Sequence, residues 1–155
     1  MAVLNIGTEK ATQKIKKFCA YQERNHKEVK EKLYSFGLYK EEVEEILSAL
    51  IQENYLNEER FALAFAGGKF RLKQWGKTKI KYELKKHGIS DYCIRKALST
   101  LSEEDYTATL KKLYEQKLRL LKSEKNLFNK KRKIQLYLQQ KGFELEYIRE
   151  LLQEL

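Results

Sequence analysis

The sequence predicts an all-α protein made of three tandem three-helix, helix-turn-helix-like repeats, and three observations carry that prediction. The 155 residues include no proline and are rich in Lys, Glu, Leu and Gln, a composition that favours helix nearly everywhere. One spacing is written three times: a β-branched apolar residue, Leu four positions on, and Gly four further. It reads Val29, Leu33, Gly37, then Ile80, Leu84, Gly88, then Ile134, Leu138, Gly142. Counting +6, +9, +10 and +13 from each glycine gives Val43, Ile46, Leu47 and Leu50; Ile94, Ala97, Leu98 and Leu101; Ile148, Leu151, Leu152 and Leu155. All are apolar, the stripe of an amphipathic helix of period 3.6, and the interval between glycines suits a three-helix repeat. The repeats divide as 1–56 with an N-terminal arm, 57–102, and 103–155. With no Pro/Gly/Ser-rich linker between them, each is expected to pack on the next.

Taken in order, Thr8 to Tyr21 places Ile15, Phe18 and Cys19 at helical spacing. Asn25 is a candidate N-cap for a helix carrying Val29, Leu33 and Phe36, and Gly37 is its expected left-handed terminator. The third helix has Glu41 and Glu42 in its first turn, where carboxylates suit the helix dipole. Asn54 to Asn57 connects to the second repeat. There Asn57 caps a helix bearing Phe61, Ala62, Phe65 and Phe70, expected to run on to about Lys73. Gly67 and Gly68 in its middle cost about 1–2 kcal/mol relative to alanine, so either a bend or a close neighbouring helix is expected there. Ser102 is a candidate cap for a helix through Tyr106, Leu110, Leu113 and Tyr114, with no breaker before about Ser123.

The formal charge is +10, unevenly spread. Residues 1–56 hold 9 Lys/Arg and 9 Asp/Glu, residues 57–102 hold 11 and 4, and residues 103–155 hold 12 and 9. The excess sits mainly in the middle repeat, where Lys77, Lys81 and Lys85 form one helical stripe flanked by Lys79 and Lys86. Like charges at this spacing repel by about 0.2–0.5 kcal/mol per pair, and only Glu83 offers relief within the helix. Lys69, Arg71 and Lys73 lie just upstream, and Phe70, Trp75 and Tyr82 interleave aromatics. A weaker echo, Lys130, Lys131, Arg132 and Lys133, opens the equivalent helix of the third repeat. A solvated helix face would account for such charge, but two equivalent cationic helices point to a long or repeated anionic partner. Helix-turn-helix geometry could also place a helix in a DNA groove. The cations are mostly Lys, a point charge, and few Arg, Asn or Gln are placed for bidentate base contacts.

Catalytic chemistry finds no footing. His26 and His87 lack a nearby triad or ligand pattern, and His87 precedes Gly88 as a helix-terminal cation. The paired carboxylates Glu41-Glu42 and Glu44-Glu45 read as solvated helix faces, and no phosphate-binding loop is present. No enzyme, metal or cofactor is expected. Cys19 and Cys93 are far apart at apolar positions and are expected to be buried, inert thiols. No apolar run is long enough to span a membrane, and Met1 to Lys10 lacks a signal-peptide layout. A cytoplasmic location and no membrane partner are the expectations.

Two motifs resemble those of the RecX regulatory proteins, small bacterial modulators of the RecA recombinase. Tyr55-Leu56-Asn57-Glu58-Glu59-Arg60-Phe61-Ala62 is similar to the family's Tyr-Leu-Asp/Asn-Asp-Glu-Arg-Phe-Ala signature. Trp75-Gly76-Lys77-Thr78-Lys79-Ile80, then Glu83-Leu84 and His87-Gly88-Ile89, resembles its Trp-Gly-basic-x-basic-Ile…Glu-Leu…Lys-Gly-Ile segment. Gly67-Gly68 and His87 depart from that pattern, and the third repeat follows it loosely. The resemblance implies a curved, elongated array bound along the RecA–single-stranded DNA filament, without a cofactor; a monomer is the expected state. It implies blocked filament growth, altered disassembly, and reduced recombinase, ATPase and coprotease activity; weak binding to bare DNA is a separate expectation. The residues expected to touch filament or DNA are Arg60, Lys69, Arg71, Lys73, Lys77, Lys79, Lys81, Lys85, Lys86, Lys130, Lys131, Arg132 and Lys133. Arg60 is equally suited to pair with an acid inside the fold. Trp75, Gly76, Ile80, Leu84 and Gly88 are expected to shape the fold. A stand-alone DNA-binding module and a protein–protein scaffold are the alternatives.

Overall fold

The computed structural model describes residues 3–155, so the first two residues of the arm assigned to the first repeat lie outside the described residues. The described residues form helices and turns, with no strand among them. The first repeat holds α1 (Thr8–Tyr21), α2 (His26–Ser35) and α3 (Lys40–Gln52). The second holds α4 (Glu58–Gly68) with a π-helical turn at Lys69–Lys73, α5 (Lys77–Lys86) and α6 (Asp91–Ser99). The third holds α7 (Glu103–Leu120), α8 (Leu127–Gln140) and α9 (Leu145–Leu152).

The helix ends follow the local chemistry read from the sequence. Asn25 accepts from the Glu28 amide while the Glu28 carboxylate takes the Asn25 amide, a reciprocal capping box. Asn57 accepts from the Arg60 amide and Ser102 from the Asp105 amide. At the end of α5 the Gly88 amide bonds the Lys85 carbonyl and the Ile89 amide bonds that of Leu84. After α8 the same pair recurs as Gly142 to Gln139 and Phe143 to Leu138. These are Schellman closures, which require a left-handed residue; Gly88 and Gly142 have φ of 78° and 97°.

Burial sorts the helices into two cores rather than three. Ala11, Ile15, Cys19, Val29, Leu33, Leu38, Val43, Ile46, Leu50 and Leu56 form the first, inside the first repeat. The second runs from Phe61 to Leu152, so the second and third repeats share one interior. Tyr106 is its hub: fully buried, with ring centroids 5.9 Å from Phe70, 5.2 Å from Phe143 and 5.7 Å from Tyr147. Ile80 and Leu84 of α5 are fully buried there, and truncating Leu84 to alanine should cost about 2–5 kcal/mol. Both cysteines are free and buried, and burial pushes the Cys19 thiol above its ordinary range.

Two sequence expectations need correction. The helix runs on to Lys73 as expected, but the nearest neighbour at Gly67 and Gly68 is not another helix. A Cβ on Gly67 would meet the guanidinium of Arg71, one turn further along the same helix, and the space beside Gly68 is open. What changes after them is the winding, which widens to a π turn before the chain leaves the helix at Gln74. Gln74 takes a left-handed conformation, φ 56° and ψ 43°, uncommon for a residue with a Cβ. The second correction concerns α7, which stops at Leu120. Leu121 packs on the shared core, and its amide bonds the carbonyls of both Lys117 and Leu118, which closes the helix without a breaker residue.

Candidate nucleic-acid interface

The start of α5 is built by the third repeat. The Gly76 amide donates to the Lys141 carbonyl at 2.7 Å, and the Thr78 amide to the Gly142 carbonyl at 3.0 Å. The Lys77 amide donates to the Tyr106 hydroxyl at 2.9 Å, and that hydroxyl donates to a Glu144 carboxylate oxygen. These bonds satisfy donors that the first turn of a helix leaves without partners. A Cβ on Gly76 would collide with the backbone of Gly142 and Phe143, so glycine there permits backbone-to-backbone contact. The Gly76 and Gly142 of the sequence motifs are thus the two faces of one joint. Its interior holds the Tyr106 hydroxyl, whose titration burial and then the Glu144 bond push up out of the ordinary phenol range.

Cations gather around the rim of this joint. The ammonium groups of Lys69 and Lys79 lie 5.0 and 4.6 Å from the centroid of the half-buried Trp75 ring, and Lys77 lies 4.8 Å from the Tyr106 ring. The ring quadrupole holds a cation there with about 0.5–1 kcal/mol at an exposed site. Lys141 completes the cluster, donating from Nζ to the Lys73 carbonyl at 2.7 Å. Burial, with the Lys79 and Lys73 charges added, pulls its titration below the ordinary lysine range. Three lysines from π turn, α5 and the α8 end therefore share one volume. Among the described residues none of Lys69, Lys73, Lys79 and Lys141 forms an ion pair within 4.0 Å. An uncompensated cation cluster held by aromatic faces is suited to a phosphate backbone.

The other candidate residues divide. Arg71 folds back over Gly67, and Lys81 is exposed with no ion-pair partner among the described residues. Lys85 and Lys86 stand 3.9 Å from Asp91 and Glu83. Arg60 is turned into the fold: its guanidinium pairs with Glu23 between α1 and α2 and donates to the Asn54 carbonyl at 3.1 Å. It joins the first repeat to the second. Lys130, Lys131 and Arg132 open α8 without ion-pair partners among the described residues, while Lys133 pairs with Glu124 at 2.7 Å. At 100° per residue, Lys130, Lys133, Tyr137 and Lys141 fall in one wedge about 80° wide and about 16 Å long. That wedge connects the two basic groups.

Sequence reasoning missed Lys141, Tyr106 and Glu144. The bonds that recruit them join residues far apart in the chain, and no local spacing reports them. His87, expected at a helix end, caps α5 and also packs edge-on against Phe61 and Phe65, with centroids 5.9 and 5.5 Å away. Among the described residues no group of three or more His, Cys, Asp or Glu could hold a metal ion, and no helix is long and apolar enough to cross a membrane.

A family model described as the second three-helix domain of RecX matches residues 57–98, and one described as the third three-helix domain matches residues 103–152. The chain is 35% identical over 133 residues to a regulatory protein RecX of Bacillus subtilis, covering 84% of this chain and 49% of that protein. It is 29% identical over 148 residues to a regulatory protein RecX of Prosthecochloris aestuarii, covering 96% and 95%. The chain spans about half the length of the Bacillus relative. Among solved structures, RecX from Lactobacillus salivarius superposes with a TM-score of 0.83 at 28% identity, covering 95% of each chain.

Proposed function

Because the chain belongs to the RecX family, we propose that it is a non-enzymatic regulator of the RecA recombinase that binds the RecA–single-stranded DNA filament. Binding lowers the filament's recombinase, ATPase and coprotease activities. The observation that carries this reading is the unpaired lysine cluster on the Trp75 rim, composed of Lys69, Lys73, Lys79 and Lys141. Its ammonium groups repel one another and have no acid to neutralise them, an arrangement that a polyanion in the filament relieves. The wedge along α8 extends the same charge toward Lys130 and suits a partner that is itself extended.

The stand-alone DNA-binding alternative fits less well. A groove-reading helix presents its N-terminal residues to base edges. The first turn of α5 is instead occupied by Lys141, Gly142 and Tyr106. The test is RecA ATPase on single-stranded DNA with increasing wild-type protein, compared with Lys79→Glu/Lys81→Glu. Inhibition by wild type at substoichiometric amounts, weakened at least tenfold in the variant, supports the reading. Unchanged ATPase and strand exchange with wild-type protein overturn it.

A further inference from the structure

The charge of the third repeat is more polarised than its sum suggests. Residues 117–133, which span the end of α7, the turn and the start of α8, hold 8 Lys/Arg against Glu124 alone. The outermost stripe of α8 is nevertheless not built from those lysines. It reads Phe128, Arg132, Leu136 at i, i+4, i+8, with Gln139 continuing it. Phe128 is 72% exposed and Leu136 is 48% exposed. At 100° per residue this stripe lies roughly opposite the wedge of Lys130, Lys133, Tyr137 and Lys141 and away from the buried Ile134 and Leu138. The helix thus turns Lys130, Lys133 and Lys141 to one side and two apolar knobs around an arginine to the other, with Lys131 about 60° from Phe128. In the repeat register Leu136 corresponds to Tyr82, six residues before the glycine in both, and Tyr82 is exposed as well.

We propose that the outward stripe of α8 docks Phe128 and Leu136 into an apolar groove of a protein partner, with Arg132 meeting carboxylates on the groove's rim. Anchors at helical spacing are the signature of a helix laid in a groove; Arg is among the side chains that dominate binding, and Phe is enriched at the core of contacts. Arg132 within the stripe and Lys131 beside it, neither with an ion-pair partner among the described residues, select an acidic rim. A nucleic-acid occupant would place cations outermost and leave Leu136 without a role; the lysine wedge has that composition, the stripe does not. This inference rests on the filament reading, in which the groove belongs to a recombinase subunit while the wedge faces phosphate. α8 would then lie between protein and DNA.

The experiment compares wild type, Phe128→Ala/Leu136→Ala and Arg132→Glu for binding to RecA filaments assembled on a labelled single-stranded oligonucleotide and to that oligonucleotide alone. All three sites are exposed, and far-UV circular dichroism melting checks that the variants remain folded. The expected result is a loss of about tenfold or more in filament affinity for both variants, with bare-oligonucleotide affinity of the double variant within about twofold. Equal losses of the double variant on filament and bare strand assign Phe128 to base stacking and overturn the proposal. Unchanged filament affinity in both variants overturns it while the filament reading survives. Failure of wild type to bind filaments removes both.

Discussion

The amide of Gly76 donates to the carbonyl of Lys141 at 2.7 Å, and this bond fixes where the basic face of the second repeat sits relative to the third. A motif that looked like the local start of one helix is one half of an inter-repeat joint. The cations around it come from both sides: Lys69, Lys73 and Lys79 from the second repeat and Lys141 from the third.

Two glycines of the motif should respond differently to alanine. Gly76→Ala places a methyl group against the Gly142 backbone, which cannot yield as a flexible side chain would, and a destabilisation of about 2–4 kcal/mol is expected. Gly88→Ala meets open space but keeps a left-handed φ, so a loss of about 1–2 kcal/mol is expected. Urea denaturation of the two variants gives the comparison, and equal losses would contradict the joint.

Tyr106→Phe leaves the Lys77 amide without its hydroxyl acceptor and the buried side of Glu144 without a donor, an expected loss of about 1–3 kcal/mol near neutral pH. The pH dependence separates this from a packing effect. The Tyr106 titration is raised in the folded chain, so its stabilisation is complete below the ordinary phenol range, about pH 10, and is lost as pH climbs toward the folded value. Melting temperature above that point should fall more steeply for wild type than for the variant.

Lysine-to-glutamine changes on the rim test the proposed phosphate contact. For Lys73→Gln/Lys79→Gln the slope of log affinity for filament against log salt should shrink by about 0.7 per contact removed. Lys85→Gln, whose lysine already faces Asp91, should change the slope least. A salt slope identical in all three proteins would move the DNA contact elsewhere.

Arg60→Ala removes the pair with Glu23, which is partly exposed, so the stability change should stay within about 1 kcal/mol. Faster amide exchange in α1 and α2 with unchanged filament affinity would mark Arg60 as a joint residue. A loss of affinity with unaltered exchange would mark it as a filament contact.

The helices and their ends were legible in the sequence because they are set by neighbours along the chain. Asn25, Asn57, Ser102, Gly88 and Gly142 all act within about one turn of themselves, and Val43, Ile94 and Ile148 at +6 are buried in every repeat. The candidate site was legible in half. Its lysines could be counted, but the residue that gathers them could not. Lys141 stands alone among uncharged neighbours Gln140 and Gly142, and only the fold brings it to Lys73 and Lys79. Arg60 shows the converse: it stands in the same motif as Glu58 and Glu59, yet its partner is Glu23 of the preceding repeat.

The two separate cores have a consequence for biosynthesis. Every residue of the first interior has been added to the chain by Leu56. The second cannot close around Tyr106 until Phe143, Tyr147, Ile148 and Leu152 have left the ribosome. Residues 8–56 can therefore reach their final packing while the basic repeat is still an open helical segment. The lysine cluster assembles last, once Lys141 arrives. The joint between Gly76 and Lys141 therefore forms only at the end of synthesis. Pulse proteolysis of ribosome-bound chains stalled after residue 110 tests this order: a protected fragment ending near Leu56 is the expected result.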